Sequence, residues 1–456
     1  MTTLYCARWV LPDAESPIED GAVVVEGSRV VGVGRRSEVS PQHAEAEVRD
    51  FGEAVILPGF VNTHSHLELT AMRGYLEREE VDFFSWLRKL TSARLEMTPD
   101  DLYVSATWGA VEAARAGVTC MGDASDAATS SMRALCDVGL RGIVYQESFG
   151  PDPAAATQNF EILREKVLRL RALETEEVRA GVSPHSAYTV SAPQLHLITE
   201  FALAEKLPLM MHAAESEAEA RLLHDGSGPF GENLSRRGIS WNAPGTSTIR
   251  YLASVGVLHA KPLLAHCITV DEEDIDLIKE TDSRIAHCPK SNAKLGHARA
   301  PIARFVDKKI KVGFGSDSVA SNNTCDMLEE ARFALLMARA SQSKSREGHW
   351  LGAKTGLEML TRGGSRALGL EAKAGILVEG GPADIAIVGL DGAHQIPVHD
   401  LSAALGFASS GRDVLLTMVA GKVVYEDGRV QTVDEERLRV RMMEIAKALG
   451  GEQRPK

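Results

Sequence analysis

The chain is short of the features that would mark it as secreted, membrane-bound or nucleic-acid-binding. Its six cysteines, Cys6, Cys120, Cys136, Cys267, Cys288 and Cys325, include no C-x-x-C pair. Their spacing offers neither a disulfide framework nor a thiolate metal site, and free thiols in a reducing compartment are the expectation. The first twenty residues have no basic segment followed by an apolar run, and no stretch of about 20 apolar residues occurs. A cytoplasmic protein without a membrane partner is therefore expected. The formal net charge of −13 lacks the basic excess that a nucleic-acid partner requires. Repeats and low-complexity tracts are missing too. No G-x-G-x-x-G follows an early strand, which argues against a dinucleotide site.

What is present is an ordinary globular composition, 44% hydrophobic and 25% charged. A length of 456 residues fits one large domain and one small one. The two ends are alike. GAVVVEGSRVVGVG near the start, and ADIAIVGLDG with VLLTMVAGKVVYEDGRV near the end, are short apolar strands broken by glycine. They predict a small β-sandwich-like domain built from both termini, residues 1–55 and 371–456. A helix is predicted from about Asp434, with Leu438, Val440, Met443, Ile445 and Leu449 along it. The acidic run Asp271-Glu272-Glu273-Asp274 is expected on the solvated start of another helix.

Residues 56–370 alternate apolar runs with helical patterns. The runs are VILPGFVNTHSH, GVTCMGDA, GLRGIVYQE, VRAGVSPHS, LPLMMHAAE, KPLLAHC, SRIAHC and IKVGFGSD. Eight strands alternating with helices predict an α/β fold, a (β/α)8 TIM barrel, with an open doubly wound sheet as the alternative. Four of the eight runs end in His, Asp or Glu, and the other four carry His or Asp one residue before the end. Barrel packing wants branched apolar residues there, so this pattern suggests a shared site at the C-terminal ends of the strands.

His64 and His66 are two apart on a strand and therefore share a face. His212, His266 and Asp317 end later runs. Imidazole and carboxylate ligands suit one divalent ion, Zn2+ or Fe2+, and the expected role of such an ion is to lower the pKa of a bound water to about 7. Glu215, in His212-Ala-Ala-Glu215, is placed to take and pass on a proton, or else is an acidic residue at a helix start. His266 is either a further ligand or a hydrogen-bond partner of the water. Pro289, Ser291, Asn292, Ser321, Asn322 and Asn323 rim the same end, as substrate contacts or as turn formers. By alternation Cys267 and Cys288 point away from the barrel interior.

The runs LPGFVNTHSHLELTAMRG, SPHS, HAAE, LLAHC, AHCPKSNAKLGHARAPI and GFGSDSVASNN resemble the amidohydrolase superfamily, nearest its deaminase and chlorohydrolase branch. The resemblance implies a single zinc or iron(II) held by His64, His66, His212 and Asp317. It implies Glu215 as proton shuttle, His266 against the attacking water, Asp317 as acceptor of that water's proton, and His185 in contact with substrate. No lysine ends the fourth run, which argues for one ion rather than two. The implied reaction is hydrolytic deamination of an amino-substituted nitrogen heterocycle, a small molecule.

HLELTAMRG followed by VDFFSWLRKL is similar to the aminodeoxyfutalosine deaminases of menaquinone biosynthesis, through Glu68, Phe84 and Trp86. GSGPFGENLSRRG and STIRYLASVGVL are similar to the same group. Methylthioadenosine and S-adenosylhomocysteine deaminases instead place a ribose-binding glutamate some nine residues after the matching tryptophan, where this chain has Leu95 and then Glu96. The benzoate of aminodeoxyfutalosine calls for a cation, with Arg73 and Arg88 as candidates. Trp86 stacks on a substrate ring or packs under the loop. Adenosine-like substrates, s-triazines and guanine are the other expectations. Exposed helices around such barrels often pair, so a homodimer stays open.

Overall fold

The computed structural model describes residues 2–341 and 350–450. Among these, two four-stranded parallel sheets follow one another along the chain. The first holds Phe60–Ser65, Val118–Ser125, Arg141–Ser148 and Val178–Pro184; the second holds Met210–Ala213, Leu263–His266, Arg284–His287 and Val312–Phe314. Parallel bridges close both seams. Val182 pairs with Leu209 and Ser186 with His212 on one side, and Ser65 with Asp317 on the other. Asn62 zips the second seam, donating to Ser316 Oγ at 2.7 Å and accepting from Ser316 N–H at 3.0 Å. The result is the eight-stranded α/β barrel.

Side-chain alternation sorts the strands into two layers. Val61, Cys120, Ala124, Ile143, Tyr145, Met210, Leu263, Ala265 and Ala286 form one buried cluster with Ala367 and Leu368 of the short helix Gly364–Leu368. The opposite faces pack against the surrounding helices in a larger cluster that includes Cys267. Local signals fix those helices. Pro99–Arg115 starts at a reciprocal Thr98–Asp101 cap with proline in its first turn. Ala128–Val138 stops at Gly139, whose φ of 87° needs no Cβ. The acidic run opens helix Glu272–Glu280 as expected, with Asp271 as its cap. Asp274 departs from the solvated expectation: it is buried and accepts from Ser247.

The termini form one β-rich unit, a nine-stranded sheet. Thr2–Val10 pairs with Ile18–Glu26 on one edge, and with Glu47–Asp50 and Ala54–Pro58 on the other. Ala54–Pro58 joins Ile385–Gly389, which brings the two ends of the chain together. Register shifts at Val24/Val25, Ile387/Val388 and Thr417/Met418 bend the strands, as bulges do. The sheet folds over until Arg29 bridges Pro382. The run VILPGFVNTHSH thus divides between two sheets at Gly59, where a Cβ would lie 2.1 Å from the Thr119 methyl. In the C-terminal helix Glu435–Gly450, Ile445 is buried and Leu438 and Leu449 are partly so. Val440 and Met443 face outward, 48% and 65% exposed. No helix among the described residues is long and apolar enough to cross a membrane.

A buried ion pair ties the barrel to the terminal sheet. Arg141 donates to both oxygens of Asp384 at 2.7 and 3.2 Å, with side chains 7% and 0% exposed. Asp384 also accepts from Ala420 N–H. Asp384→Ala strands a buried guanidinium and should cost about 3–5 kcal/mol of stability in a denaturant titration. Replacing both partners with apolar residues should recover much of that loss.

Candidate metal centre

The closing seams bring the metal-competent side chains together. Asp317 donates its N–H to the His64 carbonyl at 2.9 Å, and His212 donates its N–H to the His185 carbonyl at 2.9 Å. His64 and His66 lie at the end of strand Phe60–Ser65 and His212 within Met210–Ala213. Three overlapping sets of donor atoms result, each mutually within 4.8 Å: His64, His66 and Asp317; His64, His212 and His266; and His66, His212 and Glu147. All of these residues are buried. His266 and Asp317 have φ of 75° and 57°, so the backbone leaves the extended region as each strand ends. Such conformations cost about 1–3 kcal/mol each and cluster at functional sites.

The donor set fits a cation. His66 and His212 approach nitrogen to nitrogen, 3.1 Å between their Nε2 atoms. His212 Nδ1 donates to the His185 carbonyl at 2.9 Å, and His66 makes its other hydrogen bond to the Ala124 backbone. Both Nε2 atoms therefore carry lone pairs. Burial holds the His66 pKa at about 3 and that of His212 well below its usual range, with the neighbouring histidines adding to the effect. Two neutral imidazoles facing lone pair to lone pair need a positive centre between them. His64 Nε2 is also buried without a hydrogen-bond partner, its Nδ1 lying 3.1 Å from the Met210 sulfur. Burial works against an ionised Asp317, yet the surrounding imidazoles, His64 foremost, hold its pKa well below the usual range. Its Oδ1 lies 3.5 Å from Nε2 of both His64 and His66.

A shell of hydroxyls and amides aims these ligands. Ser291 and Ser321 donate to Asp317 Oδ2 at 2.5 and 3.3 Å. Asp123 accepts from Ser65 Oγ at 2.9 Å and Leu67 N–H at 2.7 Å, fixing the turn after His66. His266 Nδ1 donates to Asn292 Oδ1 at 2.8 Å, which leaves its Nε2 bare, 3.6 Å from Glu215 Oε1. Glu215 precedes helix Glu217–Asp225 and its Ser216 cap, so it is not a helix-start residue. Its N–H donates to Glu219 at 2.8 Å, and Tyr188 hydrogen-bonds its carboxyl group. Burial and the Asp317 charge push the Glu215 pKa up to about 8. His297 Nε2 is 3.9 Å from the same oxygen.

The residues expected to bind substrate divide. His185 stands beside the centre, its ring 4.5 Å from that of His212 and 4.8 Å from that of Phe149. Glu68 is buried and accepts from the N–H groups of Asp126 and Ala127 at 3.3 and 2.8 Å. These N–H groups lie in the turn before helix Ala128–Val138, so its carboxylate is used by the fold. Trp86 is buried and stacks on Phe83 with centroids 6.0 Å apart; Phe83, not Trp86, meets His297, at 4.7 Å. Arg73 is bound to Glu112 and to the Asn323 carbonyl. Arg88 is exposed on helix Phe83–Glu96, and Glu96, which ends that helix, lines a cleft with Asp101 and Arg441. The side chains missed from sequence are Glu147, Asp123, Tyr188, Glu219 and His297. Of these Glu147 carried a signal, since it ends the third strand run.

A closed barrel whose mouth converges imidazoles and a carboxylate on one point is the frame of a hydrolase built to hold a cation. Residues 55–424 match the amidohydrolase family, and the chain belongs to it; it is a hydrolase acting on carbon–nitrogen bonds. It is 32% identical over 437 residues to the 5-methylthioadenosine/S-adenosylhomocysteine deaminase of Symbiobacterium thermophilum, covering 94% of each chain. To the 5'-deoxyadenosine deaminase of Methanothermobacter thermautotrophicus it is 29% identical over 437 residues, covering 95% of each. The crystal structure of Helicobacter pylori aminofutalosine deaminase with methylthio-coformycin shares the fold, with a TM-score of 0.77 at 20% identity over 93% of this chain and 100% of that one.

Removing the hydroxyls that aim Asp317, in a Ser291→Ala/Ser321→Ala variant, should weaken divalent-cation affinity about 10–100-fold in competition with a chelator. Unchanged affinity would mean that the backbone alone orients the carboxylate.

Proposed function

We propose that the chain is a metal-dependent deaminase of adenine nucleosides, with 5'-thio- and 5'-deoxyadenosines as its leading substrates. The observation that carries the reading is the placement of Glu215, a buried carboxyl group facing His266 in the chamber where His64, His66, His212 and Asp317 converge. Those four residues would hold a divalent cation, Zn2+ or Fe2+ by the preference of the donor set, whose positive charge would make water a nucleophile at neutral pH.

The chain's own groups manage the protons. Glu215, which holds a proton, delivers it to the ring nitrogen beside the amino-bearing carbon and takes one from the attacking water in return. His266, fixed by Asn292, accepts a hydrogen bond from that water. Asp317 takes the remaining hydroxyl proton, which passes to the amino nitrogen. The C–N bond then breaks with its electron pair on nitrogen, ammonia leaves, and the ring keeps C=O and N–H.

Two relatives named as deaminases of 5'-modified adenosines, each matching nearly the full chain, support the substrate class. Aminodeoxyfutalosine is the second reading, supported by the segment from His66 to Leu90. The engagement of Arg73 with Glu112 weakens it, since that cation was expected to meet the benzoate. Ammonia release from methylthioadenosine, S-adenosylhomocysteine, 5'-deoxyadenosine, adenosine and aminodeoxyfutalosine decides the order. The first three should show the highest kcat/KM; a clear lead for aminodeoxyfutalosine would establish the second reading.

Glu215→Gln should keep its bound cation and lose kcat by about a hundredfold or more, the range for a positioned acid–base group. Activity near wild type would remove Glu215 from the proton path.

A further inference from the structure

Three carboxyl groups border the cluster, and the reaction above uses two of them. The third is Glu147, in strand Arg141–Ser148. One of its oxygens lies within 4.8 Å of donor nitrogens of both His66 and His212. The residue is 6% exposed, and its Oε1 is buried with no hydrogen-bond partner. The charged groups around it are committed elsewhere. Glu68 accepts from the N–H groups of Asp126 and Ala127, and Asp126 accepts from Arg94 and Lys166 at 2.8 and 2.7 Å. Asp123 is saturated by Ser65, Leu67 and Ser125. A buried acceptor left open in this way calls for a donor, and the chamber is where a donor can arrive.

The substrate can supply that donor. An amino-substituted heterocycle presents the unit N=C–NH2, with an acceptor nitrogen on one side of the reacting carbon and a donor nitrogen on the other. The chamber offers the complement: Glu215 beside His266 and His297, and Glu147 beside His66 and His212. The geometry points to Glu147 as the acceptor for an N–H of the departing amino group, and so as the residue that selects an amine over a halide or alkoxide leaving group. This rests on the deaminase reading. Glu147 moves no proton in it; it pairs with the amino group and sets the open lone pairs of its Oε1 against any leaving group that has no N–H to donate. A site built to receive a hydrogen bond rejects analogues that lack the donor far more strongly than an apolar pocket rejects a wrong shape.

The test compares leaving groups on one nucleoside scaffold: adenosine, 6-chloropurine riboside and 6-methoxypurine riboside. Glu147→Gln and Glu147→Ala should lower kcat/KM for adenosine about 100-fold and for the other two less than about threefold, with one cation per chain retained by elemental analysis. A parallel fall on all three substrates, or loss of the cation, overturns the inference, because a structural or ligand role hits every substrate alike. The wild type gives a check that needs no variant. It should hydrolyse 6-methylaminopurine riboside at least about 30-fold faster than the 6-dimethylamino analogue, which has no N–H, and equal rates overturn the inference. Wild-type protein that releases chloride but no ammonia from any nucleoside overturns the deaminase reading itself. Ammonia release with an unchanged leaving-group ratio in both variants overturns only the role of Glu147.

Discussion

Everything at the barrel mouth depends on one seam. The Asp317 N–H bonds the His64 carbonyl at 2.9 Å, and Ser65 bridges Asp317, which joins the last strand to the first. Without that closure Asp317 and the paired histidines would lie on the two free edges of an open sheet. With it, a carboxylate and two imidazoles separated by some 250 residues meet. The second seam does the same for His212, whose N–H bonds the His185 carbonyl. A slip of one residue in either register would turn the ligands to the opposite face.

Closure alone leaves side chains free to rotate, and the next layer removes that freedom. Ser291 and Ser321 hold Asp317, Asn292 holds His266, and Glu219 holds the backbone that carries Glu215. The same contacts explain the unusual charges. Imidazoles are kept neutral by burial and crowding, Asp317 stays ionised, and Glu215 resists ionisation. The chamber therefore offers lone pairs for a cation and a carboxyl group able to hold a proton, which are the two requirements of hydrolysis at a carbon bearing an amine.

Much of this was legible along the chain. Eight apolar runs alternating with helical patterns gave the barrel, because strand and helix periodicities are local. The polar ends of those runs marked the residues that converge at the barrel mouth, because branched apolar residues would otherwise stand there. The loops were legible only in part. Glu68, marked by resemblance as a substrate contact, accepts from the backbone before helix Ala128–Val138, and Trp86, marked likewise, packs against Phe83 with its indole N–H unpartnered. Arg73 answers Glu112, a partner 39 residues away that no local pattern announces. Glu147 passed unremarked because a glutamate ending a strand is common, and what sets it apart is an open carboxyl oxygen in a residue beside His66 and His212.

The sequence by itself determined which elements form and which chemistry they carry, since hydrophobic period, capping residues and residue type are properties of neighbours along the chain. Tertiary structure decided which polar groups are already satisfied and which remain open. It also decided that a run taken for one strand divides between two sheets at Gly59. Both matters turn on contacts between distant segments, and the chain order says nothing about those until the barrel has closed.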